Sequence, residues 1–147
     1  AYFHDVWMPA ELTRRDPSLT GAALTAAVER YWAAPTDDPA SPAPHATGAA
    51  VDLSLRWKDG ALLWMGSIFD DVTALAHRDR FERPTMDAPA YSDEEARANR
   101  RLLHWLMHEE GFAGHPDEWW HFSFGDQLWA ALSGGRAQFG LADAISG

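Results

Sequence analysis

Between Gly48 and Trp57 apolar and polar residues alternate, with Val51, Leu53, Leu55 and Trp57 set between Asp52, Ser54 and Arg56. A period of two belongs to an extended chain with one face turned inward, so a strand is predicted here, with Asp52 on the face opposite the apolar set. Lys58-Asp59-Gly60 supplies a turn and Ala61 to Met65 a second strand, which makes a hairpin. Trp119 to Phe124 is rich in aromatic residues and reads as a further strand.

Helical spacing occupies other stretches. Thr20 to Trp32 is predicted as a helix capped by Thr20, with Leu24, Ala27, Val28 and Tyr31 on one stripe and Pro35 beyond its end. Residues 36–44, with Pro39, Pro42 and Pro44, read as a loop, as does most of 78–91. Residues 2–8 read as the tail of a helix stopped by Pro9. Ser92 opens the clearest helix. Ser92 and Glu95 make a capping-box pair, Asp93 and Glu94 suit the positive end of the dipole, and Gly111 follows the end. Its buried stripe is predicted as Ala96, Leu102, Leu103, Leu106 and Met107, and the glycines at 134, 135 and 140 make the tail loose. The sum is an α+β fold, a small antiparallel sheet with helices packed against it. A chain of 147 residues suits a single domain, and most of its eight tryptophans are expected in the core.

Charge and composition narrow the chemistry. A net charge of -10 with only 12 Lys and Arg argues against nucleic acid as a partner. No apolar run reaches the roughly 20 residues of a membrane span, and no signal-peptide pattern opens the sequence. Cysteine is absent, so disulfides and thiolate metal sites are excluded, and a metal must sit on His, Asp or Glu.

Within those limits one constellation stands out. His45 precedes the Gly48 strand, Asp52 lies on its polar face, and Gly48 lets the backbone turn between them. His121 adds a second imidazole, and Glu118 stands three residues before it, in the bend after Pro116-Asp117. Each residue alone is ordinary: a loop histidine, a solvated strand aspartate, a surface glutamate ahead of a core strand. Together His45, Asp52 and His121 suit one zinc ion with its fourth position open to water, and the spare carboxylate of Glu118 suits a general base. His104 and His108 have the four-residue spacing of helical zinc ligands, but Trp105-Leu106-Met107 between them offers no base. His4, His77 and His115 have no ligand-like context.

On these residues the chain resembles the D-alanyl-D-alanine dipeptidase family, zinc peptidases similar to the vancomycin-resistance dipeptidase. Four stretches carry the resemblance: His45 to Asp52 with Gly48 and Ala50 inside it; Met65-Gly66-Ser67-Ile68-Phe69-Asp70; Asn99-Arg100-Arg101 followed by Gly111-Phe112; and Glu118-Trp119-Trp120-His121. The His-Asp-His part is shared with D,D-carboxypeptidases and with the hedgehog signalling domain.

The resemblance implies a sheet-borne zinc site with His45, Asp52 and His121 as ligands, Glu118 as base and Asp70 as receptor of the substrate's free ammonium. It implies one zinc per chain, a small dipeptide as substrate, and hydrolysis of D-Ala-D-Ala in peptidoglycan precursor turnover or glycopeptide resistance. A cytoplasmic location is expected, with periplasmic or secreted placement also compatible with a chain lacking cysteine. The alternatives are a D,D-carboxypeptidase or other cell-wall zinc peptidase, and a non-catalytic zinc-binding module. Two departures stand against the family pattern. Ala43 takes the place of a serine two residues before the first ligand, and no Tyr-Arg-Pro stretch carrying an oxyanion-stabilising arginine occurs; Arg14 and Arg15 do not match it. The 147 residues are therefore expected to be one zinc D,D-peptidase-like domain lacking an N-terminal portion.

Overall fold

A computed structural model describes residues 2–31, 38, 41–82 and 90–142. The chain divides into two compact units, 1–43 and 44–147.

In the first unit a π-helical turn, Phe3–Trp7, runs into helix α1, Met8–Arg15. Pro9 was expected to stop a helix and instead sits in the first turn of α1. Proline's missing amide is tolerated most readily in a first turn, and here it falls where the π-helical turn gives way to α1. Helix α2, Gly21–Tyr31, follows the predicted Thr20 start, and its proposed terminators at Trp32 and Pro35 lie outside the described residues. Among the described residues of this unit, Met8, Leu12 and Val28 are buried.

The second unit is α+β. A 3-10 turn, Pro44–Thr47, leads into strand β1, Ala50–Asp52. Helix α3 spans Tyr91–Glu109, strand β2 Ala113–Gly114, strand β3 His121–Ser123 and helix α4 Gln127–Ser133. The sheet is antiparallel with order β1-β3-β2. Its core is Met65, Ala76, Leu103, Trp119, Trp120 and Phe122, with Leu53, Leu55, Leu63, Met107 and Phe112 packed around it.

The strands are shorter than their sequence patterns. Of the Gly48–Trp57 alternation only Ala50–Asp52 is a strand; Leu53 still donates its amide to Trp120 (3.0 Å), and the hairpin shrinks to a single bridge, Arg56 to Leu62, around Lys58-Asp59-Gly60. Trp119 and Trp120 form a turn ahead of β3 rather than part of it. The face assignment for Asp52 does hold. Asp52 pairs with His121 and Ala50 with Ser123, so these four share one face, while Val51 and Phe122 share the other.

Three further expectations change. Helix α3 starts at Tyr91, which puts Ser92 inside the first turn, and no side-chain cap forms. Its inward stripe is Ala96, Arg100, Leu103 and partly buried Met107, while Leu102 and Leu106 are exposed. The stripe follows a 4-3-4 spacing that includes a charged residue, which an apolar count passes over. The tryptophans are mostly not core: Trp119 and Trp120 are buried, whereas Trp57, Trp64 and Trp105 are exposed. The tail is not wholly loose either. Asp126 caps α4 by accepting the Trp129 amide (2.8 Å), and beyond it the amides of Gln138 and Phe139 reach the Gly125 carbonyl (2.6 and 2.9 Å). No described helix is long and apolar enough to cross a membrane.

Candidate metal centre

The site is assembled from one turn and two paired strands. Thr47 shapes the turn, its hydroxyl donating to the Pro44 carbonyl (2.6 Å) and accepting from the Ala49 amide (3.1 Å). Gly48 follows at φ +70°, the left-handed region that glycine enters at little cost. This reversal carries His45 back over β1. Asp52 then lies beside His121 by strand register.

The donor atoms converge. His45 Nε2 lies 3.4 Å from Asp52 Oδ2, and His121 Nδ1 lies 3.1 Å from Asp52 Oδ1. One atom from each of the three residues falls within 4.8 Å of the others. Two donors at about 2.0–2.2 Å from a tetrahedral ion stand about 3.3–3.6 Å apart, and the two short separations to Asp52 lie close to that spacing. Two imidazole nitrogens and a carboxylate form a donor set for a divalent cation. With Nδ1 of His121 turned to Asp52, its Nε2 lies 3.3 Å from the hydroxyl of Ser123, which is fully buried on the same strand face. A hydrogen bond to the far ring nitrogen orients an imidazole ligand.

Electrostatics mark the same place. Burial pushes Asp52 upward, but hydrogen bonds from His121 and His45 outweigh it and hold the carboxyl well below its usual range. The hydrogen bond His45 donates to Asp52 raises its pKa against the opposing effect of burial. Glu118 lies with Oε2 3.7 Å from His121 Nδ1, in the bend expected of it. Burial first, then the charges of Asp52 and Asp70, push its pKa up to about 8.

A stability prediction follows for protein stripped of metal by a chelator. Glu118 holds its proton in the folded state up to about pH 8, whereas the unfolded chain releases it near 4.5. The folded state therefore binds more protons across that window, so stability falls as pH rises through it. Glu118→Gln should match the parent below pH 4.5 and exceed it above pH 8, by a margin on the order of a few kcal/mol. Denaturant titrations of the two proteins at both ends of the window check this.

Asp70 comes to the same site from a separate loop. Its carboxyl is raised by burial and by the charge of Asp52, and it in turn raises Glu118. Asp70 is the one described non-glycine residue at positive φ, 55°, a conformation that Asp tolerates better than most residues. Beside it the Phe69 ring packs on Trp119 and Trp120, with centroids 5.3 and 5.8 Å apart.

The structure thus brings His45, Asp52, His121 and Glu118 together, with Asp70 near enough to feel their charge, five residues from three separate stretches. It leaves the His104–His108 pair apart: the rings stack at 5.8 Å on α3, and among the described residues the only metal-capable group of three is His45, Asp52 and His121. Two neighbours escaped the sequence reading, and a third residue, Arg100, was quoted there without a role. His115, set aside for want of context, packs its ring 5.6 Å from His121, and burial drives its pKa down to about 4. Ser123 was legible only as the residue two beyond His121 on a strand. Arg100 was legible as a charge at helical spacing between Ala96 and Leu103.

Comparison with known proteins points the same way. A family model described as D-ala-D-ala dipeptidase matches residues 20–138. The D-alanyl-D-alanine dipeptidase of Synechocystis sp. is 38% identical over 131 residues, covering 82% of this chain and 53% of the relative. The D-alanyl-D-alanine dipeptidase of Escherichia coli is 40% identical over 78 residues, 53% of this chain and 36% of the relative. That of Enterococcus faecium is 37% identical over 89 residues, 60% and 40% respectively. The chain spans about half the length, or less, of the curated relatives it matches.

Proposed function

This chain belongs to the D-alanyl-D-alanine dipeptidase family, and from that premise we propose that it carries the zinc site of an enzyme that hydrolyses the D-Ala-D-Ala dipeptide. The observation that carries the reading is the convergence of His45, Asp52 and His121 with Glu118 3.7 Å from a donor nitrogen. Three protein ligands leave one position for water or substrate, as in catalytic rather than structural zinc sites. A zinc ion bound there would supply a Lewis acid for the scissile carbonyl and lower the pKa of its water toward about 7.

The chain's own residues do the rest. Glu118 takes the proton of the attacking water and passes it to the leaving amine, which departs as a neutral group. Asp52, held ionised by two imidazoles, keeps the ligand set charged and ready. Asp70 receives the ammonium of the dipeptide. A longer peptide has no ammonium at that point and leaves the carboxylate unpaired, which is costly for a half-buried group. Phe69, Trp119 and Trp120 wall the site beside it. The zinc site lies on the sheet, one ion per chain, in a single D,D-peptidase-like domain. The setting we propose is peptidoglycan precursor turnover or glycopeptide resistance, in the cytoplasm.

The test is hydrolysis by the full-length, zinc-loaded protein. Free D-Ala-D-Ala should be cleaved, and a pentapeptide ending in D-Ala-D-Ala should not. Cleavage of the pentapeptide at a comparable rate would replace this reading with a D,D-carboxypeptidase.

A further inference from the structure

We propose that Arg100 is the positioning residue for Asp70: its guanidinium ties the two ends of the 65–77 loop together and so fixes the carboxylate at the loop's tip. The inference rests on the reading of Asp70 as the ammonium receptor.

Arg100 is buried on the inner face of α3. Its Nε donates to the Met65 carbonyl at 2.6 Å, at one end of the loop. Its two terminal nitrogens donate to the carbonyls of His77 and Leu75, both at 2.8 Å, at the other end. A longer contact of 3.5 Å reaches the Ser67 hydroxyl. A guanidinium presents its five donors in a rigid planar fork, so three carbonyls bound to it have fixed relative positions. A lysine offers a point charge and no such fork.

The plate is also held from both sides. Arg100 lies 4.7 Å from the ring centre of Phe81 and 5.5 Å from that of Trp119. Gly66 stands at φ +87°, and a Cβ there would collide with the Phe81 ring. Burial costs the guanidinium part of its preference for charge, lowering its pKa to about 10. Carbonyl dipoles, rather than a carboxylate bonded to it, compensate that cost. A buried charge spent wholly on loop carbonyls and a loop hydroxyl acts on the loop's shape.

That shape reaches the site. Ser67 accepts a hydrogen bond from Trp119 Nε1 (2.9 Å), and Trp119 donates its amide to the Ala76 carbonyl (3.0 Å). The loop base is thereby joined to the segment that carries Glu118. At the tip, Phe69 packs on both tryptophans and Asp70 keeps its positive φ. None of the hydrogen bonds of Arg100 goes to the 3-10 turn, β1 or β3, where the three donor residues sit. Loosening Arg100 should therefore disturb ammonium recognition and spare the metal.

The experiment uses Arg100→Lys, Asp70→Asn and the double variant in the full-length protein. Each is measured for zinc affinity by chelator competition, and for kcat and KM on free and N-acetylated D-Ala-D-Ala. Arg100→Lys should leave zinc affinity unchanged and lower kcat/KM by about 10²-fold, the cost of an ångström-scale misplacement. The loss should appear mainly in KM, with the preference for the free dipeptide collapsing. In the Asp70→Asn background the same substitution should add nothing. Ser67→Ala, a smaller cut in the same network, should shift KM in the same direction and serves if Arg100→Lys does not fold. An intact preference in Arg100→Lys or Ser67→Ala, beside a lost one in Asp70→Asn, overturns the inference alone. An unchanged preference in Asp70→Asn overturns the reading of Asp70 and the inference with it.

Discussion

Glu118→Gln in the full-length protein is expected to retain its zinc and to lose D-Ala-D-Ala hydrolysis by about 10²–10⁴-fold, the usual contribution of a general base. The amide is nearly isosteric with the carboxyl but cannot accept the water's proton. The surroundings make the distinction sharp. Burial and the charges of Asp52 and Asp70 hold Glu118 protonated to about pH 8. A base must begin deprotonated, and a cation a few ångströms away is what lowers such a carboxyl. Metal and base are thus linked, and chelation should remove the base as well as the Lewis acid. Metal content and kcat/KM measured on the same preparation check the prediction. Hydrolysis at the parent rate by a zinc-replete Glu118→Gln would show that Glu118 is not the base.

N-acetylation of D-Ala-D-Ala should abolish cleavage, with discrimination reaching about 10⁴-fold, as for other sites that leave a buried polar group unpaired. On the proposed role of Asp70, acetylation removes the positive charge its carboxylate would pair with and adds bulk there. Asp70 is poised for such a partner. Burial and the charge of Asp52 raise its pKa, so an arriving ammonium relieves an unfavourable carboxylate. Asp70→Asn should lower activity on the free dipeptide and shrink the discrimination. Equal cleavage of free and acetylated dipeptide by the parent protein would remove the ammonium requirement and favour a carboxypeptidase.

The candidate donor group was more legible in the sequence than the elements that carry it. His45 and Asp52 are joined by a short turn with one left-handed glycine, and local chemistry of that kind survives translation into sequence. The placement of Asp52 opposite Val51 came from period-two alternation, and strand register put it beside His121. Strand lengths were not legible. Leu55 and Trp57 alternate properly, but among the described residues their pairing is limited to Ala61–Leu63 around the Arg56 to Leu62 bridge, and pairing is a tertiary fact. Helix α3 shows the same limit in another form. Leu102 and Leu106 were assigned inward because they are apolar, while the inner face went to Arg100, whose partners are carbonyls 23 to 35 residues away. Pro9 was misplaced because proline both ends helices and begins them, and only the following turns decide which.

The central claim is the zinc site, and X-ray absorption of the full-length protein with matched metal analysis tests it most directly. One zinc per chain is expected, with imidazole nitrogen and carboxylate oxygen donors at about 2.0–2.2 Å. Asp52→Ala and His121→Ala should each lose the metal, whereas His104→Ala and His108→Ala should keep it. Full zinc retention in both Asp52→Ala and His121→Ala, or its loss in the His104 and His108 variants, would contradict the account.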